Sequence, residues 1–402
     1  VVFLSYQAMI QTIEECVMSD SQPQALPKPP LSLNEIAACT SGAEVHGNGA
    51  LQVSDLAHPR MITAESEMVL ILEAPALELI QQSPIKVKAA VVAKDIEVPQ
   101  GLLEGYIAVE RPRLALATLL AIFEKPLHAY SGIHSTAVIE ASAQVHPSVS
   151  VGAFAYVGEN AVIGADSVLM PHVTVGADVK MGERCLLHSG VRLGERVILG
   201  KRVIIHHNAS IGADGFSYVT PEPGSVESAK ASGGKVTGQN TEIFKINSIG
   251  TVVLEDDVEV GACATIDRSN LGATLIKKGT KIDNLVMIGH NNVVGENCLI
   301  VSQVGISGSC EIGNRVVIAG QAGLADHLKV GDDAIVMAKS GVMRDIEPKE
   351  VVVGIPALPR RETLQNVLYM GKLRELFQEV KSLKKRLAEL EADAEAKNPV
   401  EV

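Results

Sequence analysis

Tryptophan is absent from this 402-residue chain, and aromatic residues make up only 3% of it. Hydrophobic residues still reach 47%, so a large core is possible but must be filled by Val, Ile, Leu and Ala. That composition suits thin, regularly stacked strands. Positive charge is also scarce: 35 Lys and Arg face 47 Asp and Glu, a net charge of −12, which argues against non-specific nucleic-acid binding. No run reaches the ~18 apolar residues of a membrane span. The six cysteines are Cys16, Cys39, Cys185, Cys263, Cys298 and Cys310, with no CxxC among them, so zinc-site spacing is missing. They read as reduced thiols of a cytoplasmic protein. Residues 1–30 lack the basic n-region and cleavage site of a secretory signal. They are expected to be a disordered or over-extended N-terminal segment, with translation from Met18.

Three regions follow. Residues 31–128 read as a small α+β domain. Ser32 and Glu35 form a capping box, "MVLIL" (68–72) and "AAVVA" (89–93) are strand-like, and "RPRLALATLLAIF" (111–123) is an amphipathic helix. Residues 129–344 are a hexapeptide repeat. Stepping by six from Ile133 to Ile211 meets an aliphatic side chain every time, often followed by Gly and preceded, two residues earlier, by a small residue. An excursion at 213–249, Gly/Ser-rich in its second half, breaks the phase. The repeat resumes through Leu254, Val260 and Ile266, slips once, and runs unbroken from Ile276 to Val342. A period of six fits neither a helix nor a simple amphipathic strand, and the expected fold is a parallel β-helix. Three hexads close one triangular coil, so 18 residues of sequence make one step along the axis, about 4.8 Å.

Residues 345–402 form a C-terminal helical extension. "VGIPA" (353–357) is expected to close the prism. Beyond it Leu373, Leu376, Val380, Leu383, Leu387 and Leu390 alternate at spacings of three and four, a coiled-coil seam that predicts oligomerisation. Lys372, Arg374, Lys381, Lys384, Lys385 and Arg386 stand against two acids there. They are either a solvated face or a dock for an acidic protein.

The 18-residue step turns the sequence into columns. One coil beyond His290 is Gly308, and one further is Asp326 with His327 beside it. A neutral imidazole beside the amide of a residue without a side chain suits acyl transfer. The base removes a proton from an amine or hydroxyl, and the N–H stabilises the oxyanion. The competing reading is a solvated turn histidine. Asp283, seven residues before His290, lies one face away in the same coil. It either caps its own turn or orients the imidazole across a three-fold interface. "IIHHN" (204–208) looks superficially like a metal site, but the surroundings of His290 offer no second His at ligand spacing, and no metal is expected.

"IGADGFSYV" (211–219), "IGTVVLEDDVEVGACATIDR" (249–268), "KIDNLVMIGHNNVVG" (281–295) and "GVMRDIEP…VVVGIPA" (341–357), with "AEVHGNG" (43–49), resemble the UDP-3-O-acylglucosamine N-acyltransferases of lipid A biosynthesis. The order of parts is also similar. The resemblance covers 31 to about 390, with the "DN…IxHN" block its most specific piece. It implies a left-handed β-helix and a cytoplasmic homotrimer with sites between subunits. An R-3-hydroxyacyl group would move from the phosphopantetheine thioester of acyl carrier protein to the 2-amine of a UDP-3-O-acyl-glucosamine, with no bound cofactor. His290 would be the general base, Gly308 the oxyanion donor and Asp283 a further catalytic residue. Phe216, Tyr218, Asn284, Asn291, His327 and Arg344 would bind substrate, and the basic helix would receive the carrier protein. One departure stands out. Where the family has a Phe and a Tyr flanking an Asn that stack the uracil, residues 68–79 read "MVLILEAPALEL", so the uridine is contacted differently or not at all. The alternatives are another hexapeptide sugar O- or N-acyl or acetyltransferase, and a non-catalytic scaffold.

Overall fold

A computed structural model describes residues 28–125, 127–354 and 357–397. The segment up to residue 27, with Cys16 and Met18, lies outside the described residues, as do Ile355 and Pro356 of the closing motif. The chain divides into two compact units at His128/Ala129.

In the first unit Ser32 accepts a hydrogen bond from the Glu35 amide at 3.3 Å, and the Glu35 carboxylate accepts one from the Ser32 amide at 2.8 Å. This reciprocal cap opens the helix Leu33–Cys39. Five strands follow in the spatial order Ala43–Gly47, Gly105–Val109, Ala89–Ala93, Glu67–Ile71, Asp55–Ala57. Only the first pairing is antiparallel. Ala89–Ala93 is buried at every position, as a central strand covered on both faces must be. Leu119 and Ile122 of the helix Pro112–Ile122 join Leu33, Ile36 and Val91 on one face. Ile80 of Pro75–Gln81 joins Ile71 and Val92 on the other.

The second unit is a parallel β-solenoid whose three faces are sheets of ten, ten and nine strands, most of them two residues long. Each hexad supplies one strand and one turn. Neighbouring strands pair at 18-residue offsets, such as Val157 with Val175 and Ile288 with Ile306. The repeat aliphatics form one continuous buried column, with the small residues, including Cys185, Cys298 and Cys310, tucked beside them. From Phe154 onward one residue in most hexads takes φ near +60°, as at Asn160, Asp166 and His172. That corner turns its amide onto the coil below, as from His172 to the Ala153 carbonyl at 3.0 Å.

The excursion leaves from the strand Ser210–Asp214, and the wall resumes at Thr251–Leu254. Between them Tyr218–Val219 and Phe244–Lys245 form a hairpin carrying the short helix Ser225–Ala231. Across the gap Ile211 pairs with Ile266, an offset of 55 residues, and the next step, Ile266 with Ile288, spans 22 where the other coils of the column use 18; a bulge falls between Ile211 and Ala213. The C-terminal helix runs Arg360–Lys397, longer than its seam. All six seam residues and the basic residues beside them are exposed on the single chain.

Candidate active site

His290 sits on the turn after the strand Met287–Ile288. The registers Ile288 with Ile306, Ile306 with Leu324 and Leu324 with Val342 place His290, Gly308, Asp326 and Arg344 in one corner column. Asn291, Ser309, His327 and Asp345 form the next column, and all four line an open cleft of about 930 Å³. Gly308 lies directly against the imidazole: a Cβ built on it would stand 2.8 Å from Cε1 and 2.9 Å from Nε2 of His290. The Gly308 carbonyl is taken by the His327 amide at 3.1 Å, whereas among the described residues nothing accepts its N–H.

The other side of the ring is closed by a residue that column arithmetic does not reach. A Cβ on Gly215 would meet Cδ2, Cβ and Cγ of His290 at 2.6, 2.7 and 2.8 Å. Gly215 opens the excursion, so the imidazole is held between two bare backbones from segments far apart in sequence. The far end of the excursion returns to the same place: Asn270 donates to Ser248, and its amide donates to the Asn291 side chain.

Asn291 settles the tautomer. Its Nδ2 donates to the Ser269 hydroxyl at 2.6 Å and faces the Leu271 carbonyl at 3.5 Å, a group that can only accept. Its Oδ1 therefore faces His290 Nδ1, 2.9 Å away. Nδ1 carries the proton and Nε2, beside Gly308, carries the lone pair. Asn291 is the corner residue of its hexad, at φ +61°, a conformation Asn tolerates better than most residues. The orienting partner within the chain is thus Asn291 and not Asp283. Asp283 accepts from the Asn284 amide at 2.7 Å and the Ser302 amide at 3.1 Å, and Asn284 accepts from Ala262 at 2.6 Å. Both cap turns on another corner of the prism, where with His206, Glu259 and Lys281 they line a second cleft of about 500 Å³.

Two further residues build the site. Asn292 is fully buried. It donates to the carbonyls of Gly289 and Ser307 and accepts from the Cys310 amide, clamping the residues that flank His290 and Gly308. Asp267, on Thr265–Arg268, follows Ile266 in the column, opposite Ala213 on one side and beside Gly289 on the other. Burial pushes its carboxyl up to about 6, with the His290 charge opposing and Asp214 reinforcing the shift.

Of the remaining candidates, Phe216 is 87% exposed and meets Tyr218 edge-on at 4.9 Å. Arg344 is exposed and pairs with Glu350 at 3.3 Å. The histidines of "IIHHN" stack: His206 and His207 both lie against His188, with centroids 4.8 and 4.7 Å away, and His206 Nε2 reaches Glu259 at 2.9 Å. Among the described residues no group of three or more His, Cys, Asp or Glu side chains is placed to hold a metal ion, and no helix is long and apolar enough to cross a membrane.

A triangular hexapeptide solenoid with a tautomer-fixed imidazole on its corner defines a hexapeptide acyltransferase, and the family model "Bacterial transferase hexapeptide (six repeats)" matches residues 154–195. The UDP-3-O-acylglucosamine N-acyltransferase of Syntrophus aciditrophicus (strain SB) is 46% identical over 371 residues, 91% of this chain and 94% of that one. Its namesake in Fusobacterium nucleatum is 46% identical over 345 residues, 86% and 96% of the two chains. The chain belongs to the UDP-3-O-acylglucosamine N-acyltransferase family. The match to the relative in Geobacter sp. (strain M21), at 52% identity, is shorter and spans 48% of that protein.

Proposed function

We propose that this chain transfers an R-3-hydroxyacyl group from the phosphopantetheine thioester of acyl carrier protein to the 2-amine of a UDP-3-O-acyl-glucosamine, the N-acylation of lipid A biosynthesis, as a cytoplasmic homotrimer. The observation that carries the reading is His290 with its Nε2 lone pair beside Gly308, in a chain of this family. The amine nitrogen attacks the thioester carbonyl carbon as Nε2 takes its proton. The oxyanion leans on the Gly308 N–H. The C–S bond then breaks, and the proton passes from the imidazolium to the leaving thiolate. The thioester is already activated, so the reaction needs no bound cofactor. Across a three-fold interface, the corner bearing Asp283 and Asn284 would complete the site of a neighbouring chain. The cleft beside His327 and the exposed Phe216, Tyr218 and Arg344 would hold substrate. The basic stripe from Lys372 to Arg386 suits an acidic carrier protein.

The test is the mass of the product formed from 3-hydroxyacyl carrier protein and the UDP-monoacyl amino sugar. An amide that requires the carrier-protein thioester is the expected result. An amide or ester formed from acetyl-CoA alone would make this a short-chain acetyltransferase. The absence of aromatic residues from 68–79 favours one further reading, a scaffold that has lost uridine binding. No product with any donor, together with no heat on titrating UDP-N-acetylglucosamine, would establish it.

A further inference from the structure

Asp267 directly follows the inward Ile266, a place where the solenoid also carries Glu140, Glu255 and Asp283. Those three have partners: Glu140 accepts from the Tyr156 hydroxyl, Glu255 from the Lys278 amide, and Asp283 from the Asn284 and Ser302 amides. The neighbours of Asp267 in the column are small: Ala213 opposite it across the bulge, then Gly289, Ser307 and Ala325. The neighbouring cations are also committed: Lys245, on the excursion hairpin, pairs with Asp214. Arg268, on Asp267's own strand, donates to the Gly212 carbonyl at 2.6 Å and lies 3.8 Å from Asp214. The other charged or titratable groups facing Asp267 are Asp214 on the adjoining strand and His290 on the next coil. Among the described residues nothing donates a hydrogen bond to the Asp267 carboxylate. A half-buried carboxylate without a partner is costly to keep, and this one stands one residue across from the base.

We propose that Asp267 receives the acceptor's amino group, accepting one of its N–H bonds so that another points at His290 Nε2. This rests on the reading of the acceptor as a UDP-linked amino sugar. No proton is transferred to Asp267. The carboxylate holds the nitrogen, and the proton removed during attack goes to the imidazole. The burial of Asp267 fits this role, because a cationic or N–H-bearing ligand supplies the partner that the chain withholds.

The experiment is calorimetric, so it does not depend on turnover. UDP-3-O-acyl-glucosamine and its N-acetylated counterpart, which lacks the basic amine, are titrated into the full chain and into the Asp267→Asn variant. The variant should bind the free amine about tenfold more weakly or worse, as expected for a charge-assisted bond, and the N-acetylated ligand within about twofold of the parent chain. Its thermal midpoint at pH 7.5 should be equal or higher. Equal affinity of both proteins for the amine would overturn the proposal. So would an equal loss for both ligands or a lowered midpoint, which would mark Asp267 as structural. A parent chain that forms no amide in the product assay would defeat the acyl-transfer reading, while the calorimetric comparison would still decide the role of Asp267.

Discussion

A neutral imidazole can remove a proton from a substrate only through the nitrogen that lacks one. At His290 the choice is made by Asn291, whose own amide is fixed by Ser269 and Leu271. The room around that nitrogen is set by glycines. In Gly308→Ala a methyl carbon would lie 2.8 to 2.9 Å from ring atoms of His290, well inside van der Waals contact, and the ring must turn away from the oxyanion position. We expect Gly308→Ala to lower kcat on the order of 10²-fold, the scale of a displaced oxyanion donor, with an unchanged circular dichroism spectrum. A kcat within a factor of three of the parent would show that the amide is not used. His290 and Gly308 were legible in the sequence because they are 18 residues apart with no interruption between them. Gly215 and Asp267 were not, because the excursion replaces the 18-residue step with one of 55 and hides what stands beside what. A charge after the inward aliphatic did not single out Asp267, because Glu140, Glu255, Lys277 and Asp283 stand at the same place of their hexads. The titration of Asp267 also fixes a sign. An acid whose folded value, about 6, lies above its ordinary 3.8 binds more protons folded than unfolded in that window. Stability therefore falls as pH rises from 3.8 to about 6, and the cost stays in full above it. Asp267→Asn removes the cost at pH 7.5, and its advantage should vanish below about pH 3.8.

Among the elements, the turns carry as much as the strands. Two-residue strands supply few ladder bonds, so coils are also joined by polar residues at the small inward position. Thr280 donates to the Gly295 carbonyl and accepts from Cys298, and Ser167 does the same between Gly182 and Cys185. Asn292 is the longer version, reaching two carbonyls, and it fixes the backbone beside His290 and Gly308. Removing it leaves buried carbonyls and an amide unpaired, at a cost of about 1–3 kcal/mol. Thr280→Ala and Asn292→Ala should both lower the melting temperature by several degrees. Only Asn292→Ala should also lower kcat, because only its carbonyls belong to the residues flanking His290 and Gly308. Equal kcat values for the two variants would contradict this. The position of Asn292 was visible as a core site of the repeat, but its partners were not, since a period in sequence says where a side chain points and not what it meets. The same limit applies to the excursion. Its polar composition announced a loop, whereas the hairpin and the two ends meeting at His290 depend on contacts across the break.

For the whole molecule, the absence of tryptophan and the six-residue period, unbroken from Ile133 to Ile211 and from Ile276 to Val342, made the prism readable. A core of Val, Ile, Leu and small residues is what stacked two-residue strands can hold. The helix Arg360–Lys397 extends well ahead of the seam that announced it, and its first turns carry Leu364, Val367, Leu368 and Met370, all exposed. It begins directly after Pro359, where a proline costs a helix nothing. The six exposed seam residues and the corner around Asp283 are surfaces that a symmetric oligomer would cover. The most direct test is the rate of amide formation by His290→Ala, with carrier-protein thioester and UDP-monoacyl amino sugar as substrates and light scattering to record the assembly. The rate should fall by about 10²- to 10⁴-fold, the range for loss of a general base, with the molar mass of the assembly unchanged. A variant that keeps its assembly and turns over within a few-fold of the parent would contradict the assignment of His290 as the base.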